Sequence, residues 1–385
     1  MTVHVMARDS QAGPVALEPD MFESLRKLTG DSLISIYIPT HANGIEVQQD
    51  RIRFKNGVAR VDGLLERAGW RPRDREQRLE GASSLTGDQD FWNRQSQGLG
   101  VFIDDEAHMI AVGTPGSVPD VSVMSHTFHL RPLVGLIDSV ALPVLVLTKG
   151  GVRLYRTSTH AIDRADVDLP RSFEDVNWFI DREKQRQQHP DRAGFKRSGH
   201  GHEGGSRDED LARYLRAVAD AVEVPIGNDL LIVLGDDNLT DRFIGLVDHE
   251  AVSPANSGVT DPEDVEAIRR LASPIIAARA AERTKEAAES ARSSLNTGLA
   301  ITDLTDGLVA AVNGRVATLV IDAEATPRWG CFDPEEREVS SHEAQQPFSV
   351  DLLDRLVVEA TATSATVRTH PGPVDGHTFV AIPRY

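Results

Sequence analysis

Strand-type runs alternate with helix-type stripes along this 385-residue chain, and that alternation restricts it to the α/β class. Leu33-Ile34-Ser35-Ile36-Tyr37-Ile38 is β-branched and aromatic and closes on Pro39, so it predicts a strand. Phe54, Val58, Val61, Leu65 and Ala68 then recur at helical spacing, which places them on one face of a helix over 46–68, weakened by Gly57 and Gly63. Residues 98–103 and 107–112 are short apolar runs separated by Asp104-Asp105-Glu106, a hairpin pattern.

A second group of elements follows. The apolar run 140–147, the turn Lys149-Gly150-Gly151 and the alternating run 152–156 predict two paired strands. Leu211, Leu215, Val218 and Val222 stripe a helix over 208–222, and 230–234 has the density of a buried strand. From residue 262 to 295 the chain is rich in Ala, Glu and Arg and predicts a long helix. Helices at 303–313 and 350–360 then alternate with strands at 316–321, 365–368 and 378–382, the pattern of an α/β/α sandwich. With about 150 residues per domain as a guide, three domains are expected, at 1–125, 126–260 and 261–385.

Hydrophobic residues make up 40% of the chain, enough for packed cores. The single cysteine, Cys331, excludes an internal disulfide. The absence of a signal-peptide pattern or a long apolar run predicts a soluble, cytoplasmic protein with no membrane partner. A net charge of −18 argues against nucleic acid, but the charge is uneven. Residues 51–78 hold nine basic and four acidic side chains, and 181–197 six and three, whereas 229–266 holds ten acidic residues and one basic, Arg242. Two basic segments can therefore face RNA, or serve as ordinary solvated helix faces.

The second of them runs into a glycine-rich loop at 194–206, FKRSGHGHEGGS after its first residue, leading into the 208–222 helix. Gly199, Gly201, Gly204 and Gly205 free the backbone for close approach to a partner or for simple flexibility. Lys196, Arg197, His200, His202, Arg207 and Arg213 are the phosphate-contact candidates. His200, His202 and Glu203 are weak metal-ligand candidates, because no fourth ligand is evident. Asp208-Glu209-Asp210 with Asp236-Asp237 supply the carboxylates of a two-metal nuclease, but acidic helix starts and Asp-rich turns are ordinary capping chemistry. No G-x-S-x-G elbow, P-loop or dinucleotide fingerprint is present, so no cofactor is expected.

Residues 32–39, Arg51-Ile52-Arg53-Phe54-Lys55, 128–132, 151–156, Arg213-Tyr214 with Val218-Ala219, and 379–385, in this order around a Gly-Gly loop, resemble the archaeo-eukaryotic class 1 release factor and Pelota superfamily. The similarity is closest to its bacterial branch. The resemblance implies an RNase H-like middle domain whose Gly-Gly-Gln loop enters the ribosomal peptidyl-transferase centre, where the glutamine region positions water. Gly204 and Gly205 fit that motif, but Ser206 stands at the glutamine's place and lacks the amide. The resemblance also makes Arg51, Arg53 and Lys55 candidates for ribosomal RNA contact, since the family's first domain enters the decoding region. The implied partners are the ribosome, through its RNA and tRNA, and a translational GTPase. With no catalytic residue assigned, the expected role is A-site occupation in rescue, hibernation or stress. The alternatives are a peptidyl-tRNA hydrolase or release factor using the Gly204-Gly205 loop, and a metal-dependent nuclease.

Overall fold

The computed structural model of the protein describes residues 13–17, 19–41, 46–137, 140–148, 151–158, 162–170, 203–254, 258–259 and 261–384. It divides into two compact units, one of residues 1–138 with 283–385 and one of residues 139–282.

The first stretch of unit 1 carries β1 (Val15–Ala16), α1 (Pro19–Lys27), β2 (Thr29–Pro39), α2 (Glu46–Arg67), α3 (Pro72–Leu85), α4 (Gln89–Trp92), β3 (Gly98–Ile103), β4 (Met109–Thr114), β5 (Val121–Thr127) and α5 (Arg131–Ile137). Its sheet runs β1-β4-β3-β2-β5, with β2 antiparallel to both β3 and β5. The period of two along β2 divides the core. Ile34, Ile36 and Ile38 pack in one cluster with Phe54, Val58, Val61, Leu64 and Leu65 of α2, while Leu33 and Tyr37 belong to the cluster on the other face. Each such fully buried side chain is worth roughly 1.5–3 kcal/mol of transfer free energy. Gly57, which weakens the helix locally, is explained by close approach: a Cβ there would sit 2.9 Å from Ile36 Cγ2. The hairpin between β3 and β4 is held by Asp104, whose Oδ1 accepts the amides of Glu106 and His108 at 2.9 Å each.

Unit 2 contains β6 (Leu142–Thr148), β7 (Gly151–Thr157), β8 (Ile162–Arg164), α6 (Glu203–Ile226), β9 (Leu231–Gly235), α7 (Asp237–Ile244), β10 (Ala251–Val252) and the first part of α8 (Val265–Thr297). The sheet order is β10-β9-β6-β7-β8. The meander β6-β7-β8 is antiparallel, and β9 and β10 are added parallel to β6, which is an RNase H-like arrangement. Ile268, Ala272 and Ile276 of α8 cover one face. Tyr214, Leu215, Val218 and Val222 of α6, with Phe243 of α7, cover the other.

The second stretch of unit 1 continues with α9 (Leu304–Val312), β11 (Val316–Asp322), β12 (Trp329–Asp333), β13 (Glu338–Ser341), β14 (Val350–Asp351), α10 (Leu352–Ala362), β15 (Thr366–His370) and β16 (Phe379–Pro383). The sheet β15-β11-β16 lies between α9 and α10 on one side and the end of α8, through Ala291, on the other. The small sheet β13-β12-β14 has no counterpart among the sequence expectations, because Trp329–Asp333 shows no clear alternation.

Two sequence expectations differ from what is observed. The sequence puts residues 126–137 at the head of a middle domain, and residues from 261 onward in a separate third domain. Instead, Phe128, Leu130, Leu133 and Val134 share a core with Leu308, Leu352, Leu356 and Val357, so 126–137 belongs with both terminal stretches in one unit. Helix α6 begins at Glu203, not 208, and takes Gly204, Gly205 and Ser206 into its first turn. Glycine is tolerated there because a helix end has fewer intrahelical hydrogen bonds to forfeit. Residues 194–202 of the expected loop lie outside the described residues.

Candidate nucleic-acid interface

The basic segment 51–78 lies on α2 and α3, and the structure sorts its nine cations into two groups. Five serve the fold. Arg51 donates to the carbonyl of Thr86 from Nε at 3.1 Å and from Nη2 at 2.7 Å, and to Gln89 Oε1 at 3.1 Å, which ties α2 to the end of α3. Arg53 pairs with Asp50, Arg60 with Asp120, and Arg75 with Asp62 and Glu66. Arg78 is buried, with Nη2 2.7 Å from the Ser32 carbonyl and 3.3 Å from Asp105 Oδ1.

Burial pushes the Arg78 guanidinium below its ordinary value, against the opposing pull of Asp105 and Asp104. At Asp105 burial works upward, but the amides of Asp31 and Ser32, the Ser32 hydroxyl and Arg78 together hold the carboxyl below the usual range.

The other four cations, Lys55, Arg67, Arg71 and Arg73, are exposed and make no ion pair with the described residues. Arg67, Arg71 and Arg73 cluster at the corner where α2 ends and α3 begins. Of the sequence candidates Arg51, Arg53 and Lys55, only Lys55 is therefore presented to solvent without an internal partner among the described residues.

On unit 2, Arg213 and Arg216 of α6 are exposed beside the buried stripe Tyr214, Leu215, Val218 and Val222. Burial pushes the Tyr214 hydroxyl up to about 12, which keeps it neutral at any physiological pH. Gly204, Gly205, Ser206 and Arg207 lie in the first turns of α6. Lys196, Arg197, His200 and His202 fall outside the described residues, as does the expected metal set they would form with Glu203. No group of metal-ligating side chains occurs among the described residues. Asp236 acts as the N-cap of α7, its carboxylate accepting from the Asn238 amide at 3.2 Å, which is ordinary capping chemistry. No helix among the described residues is long and apolar enough to cross a membrane.

The family model described as Bacterial archaeo-eukaryotic release factor family 3 matches residues 143–315. Over this stretch the chain is similar to that family. The match runs from the start of β6 to just past α9, so the release-factor-like segment takes in all of α6 with Gly204-Gly205-Ser206. Among solved structures, the chain is similar to a ribosome-bound archaeal Pelota with ABCE1, at 11% identity over 96% of this chain and 95% of that one, with a TM-score of 0.40. It is similar to the archaeal translation termination factor aRF1 at 12% identity over 96% and 99%, with a TM-score of 0.21. For S. cerevisiae Dom34, described as a termination-like factor interacting with Hbs1, the values are 9% over 75% and 79%, with a TM-score of 0.32. No curated protein matches the chain.

Proposed function

We propose that this protein is a cytoplasmic, ribosome-associated translation factor that occupies the A site in rescue, hibernation or stress without strong peptide-release activity. The observation carrying this reading is Ser206. It follows Gly204-Gly205 in the first turn of α6, within the stretch matched by the release-factor family, and it has no side-chain amide to place a water. Lys55, Arg67, Arg71 and Arg73 on one unit, and Arg213 on the other, are the side chains proposed to meet ribosomal RNA and tRNA phosphates. Lys196, Arg197, His200, His202 and Arg207 belong to the same reading by sequence. A translational GTPase is the proposed protein partner, as the family resemblance implies.

Sedimentation through sucrose at low and moderate salt, paired with a peptide-release assay on stalled ribosomes, tests the reading. The expected result is salt-sensitive co-sedimentation with release at background. Absence from the ribosomal fraction at low salt refutes it. Release by the wild type that disappears in Gly205→Ala transfers the assignment to a peptidyl-tRNA hydrolase working through the loop backbone.

A further inference from the structure

The segment from Phe128 to Ile137 joins the two chain stretches of unit 1 through a crossed pair of helix starts. Asp354, in the first turn of α10, is buried, and its Oδ1 accepts the amides of Leu130 and Arg131 at 2.7 and 2.5 Å, so it caps the start of α5 from a distant part of the chain. In return, Arg131 at the start of α5 reaches Asp351, with Nη2 2.9 Å from Oδ2, and donates to the carbonyl of Ala325 at 3.0 Å. Asp351 is itself the N-cap of α10, accepting from Leu353 at 3.1 Å and from the Arg328 amide at 2.9 Å. Each helix start therefore depends on a charged residue of the other.

The same short segment holds the N-terminal sheet on its opposite side. Tyr37 donates its hydroxyl to the His129 carbonyl at 2.6 Å, and the His129 amide donates to Ser35 Oγ at 3.0 Å. The His129 ring packs edge-on to Tyr37 with centroids 5.9 Å apart, and its Nδ1 is 3.4 Å from Asp354 Oδ1. Helix α5 also shields the open edge of the C-terminal sheet, where a Cβ on Gly135 would come within 2.9 Å of Thr369 Oγ1 on β15. Further out, His126 stacks on Phe348 with ring centroids 5.3 Å apart, and Gln345 donates to the Ser122 carbonyl at 2.9 Å.

The plain alternative is that these are locally satisfied polar groups between two independently stable halves. Two features oppose it. Buried charges lose their hydration and are net favourable only when every partner is in place, so disturbing one half leaves charge uncompensated in the other. The apolar core here is also continuous across the joint, from Phe102 and Phe128 to Leu352 and Leu356.

We propose that the α5–α10 clamp, keyed by Asp354 and Arg131, makes the N-terminal sheet and the C-terminal α/β layer one cooperative conformational body that cannot open along their joint without unfolding. This does not depend on the ribosomal reading.

Hydrogen exchange of the full chain in rising denaturant, resolved by peptide mass spectrometry, tests it. Peptides from β2, β3 and β5 and peptides from α10, β11 and β16 are expected to lose protection on one shared denaturant isotherm. In Asp354→Asn both sets are expected to exchange at least tenfold faster, together, while β6 and β9 change less. Separate isotherms for the two halves, acceleration confined to one half, or equal acceleration in β6 and β9 overturns the proposal. Should Asp354→Asn fail to fold, the wild-type isotherms and Arg131→Gln decide the question.

Discussion

Arg53 Nη1 lies 2.7 Å from Oδ1 of Asp50, one turn away on α2, and that carboxylate is wholly buried. Asp50 also accepts the His41 amide at 2.8 Å, so it ties the residue just past the end of β2 to α2. Removing one partner of a buried pair strands the other, at a cost of about 3–5 kcal/mol where burial is complete. Arg53→Ala leaves Asp50 its contacts to His41, whereas Asp50→Ala removes the acceptor of both, so Arg53→Ala is expected to cost less than Asp50→Ala in urea denaturation. Neither Arg53→Ala nor Arg51→Ala is expected to change ribosome affinity once the folded fraction is accounted for.

The corner cations should behave oppositely. Arg67→Ala, Arg71→Ala and Arg73→Ala remove exposed side chains without ion-pair partners among the described residues, so each is expected to leave stability within about 0.5 kcal/mol. Their effect should appear in ribosome binding. Combining all three is expected to weaken co-sedimentation and flatten the dependence of log K on log salt by roughly 0.7–0.9 for each phosphate no longer neutralised. An unchanged salt slope would remove these arginines from the interface.

Gly235 ends β9 with φ at +143°, and a Cβ there would fall 1.8 Å from the Leu147 carbonyl oxygen. Both the backbone region and the space exclude a side chain, so Gly235→Ala is expected to destabilise by more than about 2 kcal/mol. Circular dichroism during thermal unfolding would register this as a lowered Tm with unchanged far-UV signal at low temperature.

Acid should loosen unit 1 through Asp354. Burial pushes its carboxyl up, but His129, by charge and hydrogen bond, and the amides of Arg131 and Leu130 outweigh it and hold the group below the usual carboxylate range. A folded value below the unfolded one means this stabilisation is complete above the unfolded pKa of about 4 and disappears as pH falls through the folded pKa. Tm measured against pH is expected to drop steeply below about pH 4 in the wild type and less steeply in Asp354→Asn, with the two curves parallel between pH 6 and 8.

Most of the elements could be read from the chain alone, because their signals are local. β-branched and aromatic content marked β2, two short apolar runs marked the β3–β4 hairpin, a helical stripe marked α2, and dense apolar runs marked β6 and β9. The Gly-Gly-Ser sequence and its departure from the family's glutamine were equally visible, since they require only residue identity. Tertiary structure decided which cations remain available and which segments share a core. Arg51 and Arg53 look like their neighbours in sequence, and only the Thr86 carbonyl and the buried Asp50 distinguish them from Arg67 and Arg71. Likewise Phe128–Ile137 reads as the opening of the next domain until Asp354, more than two hundred residues away, is found on its amides. Periodicity records which face of an element is apolar, but not which distant face it meets, and here the joint is set by that pairing.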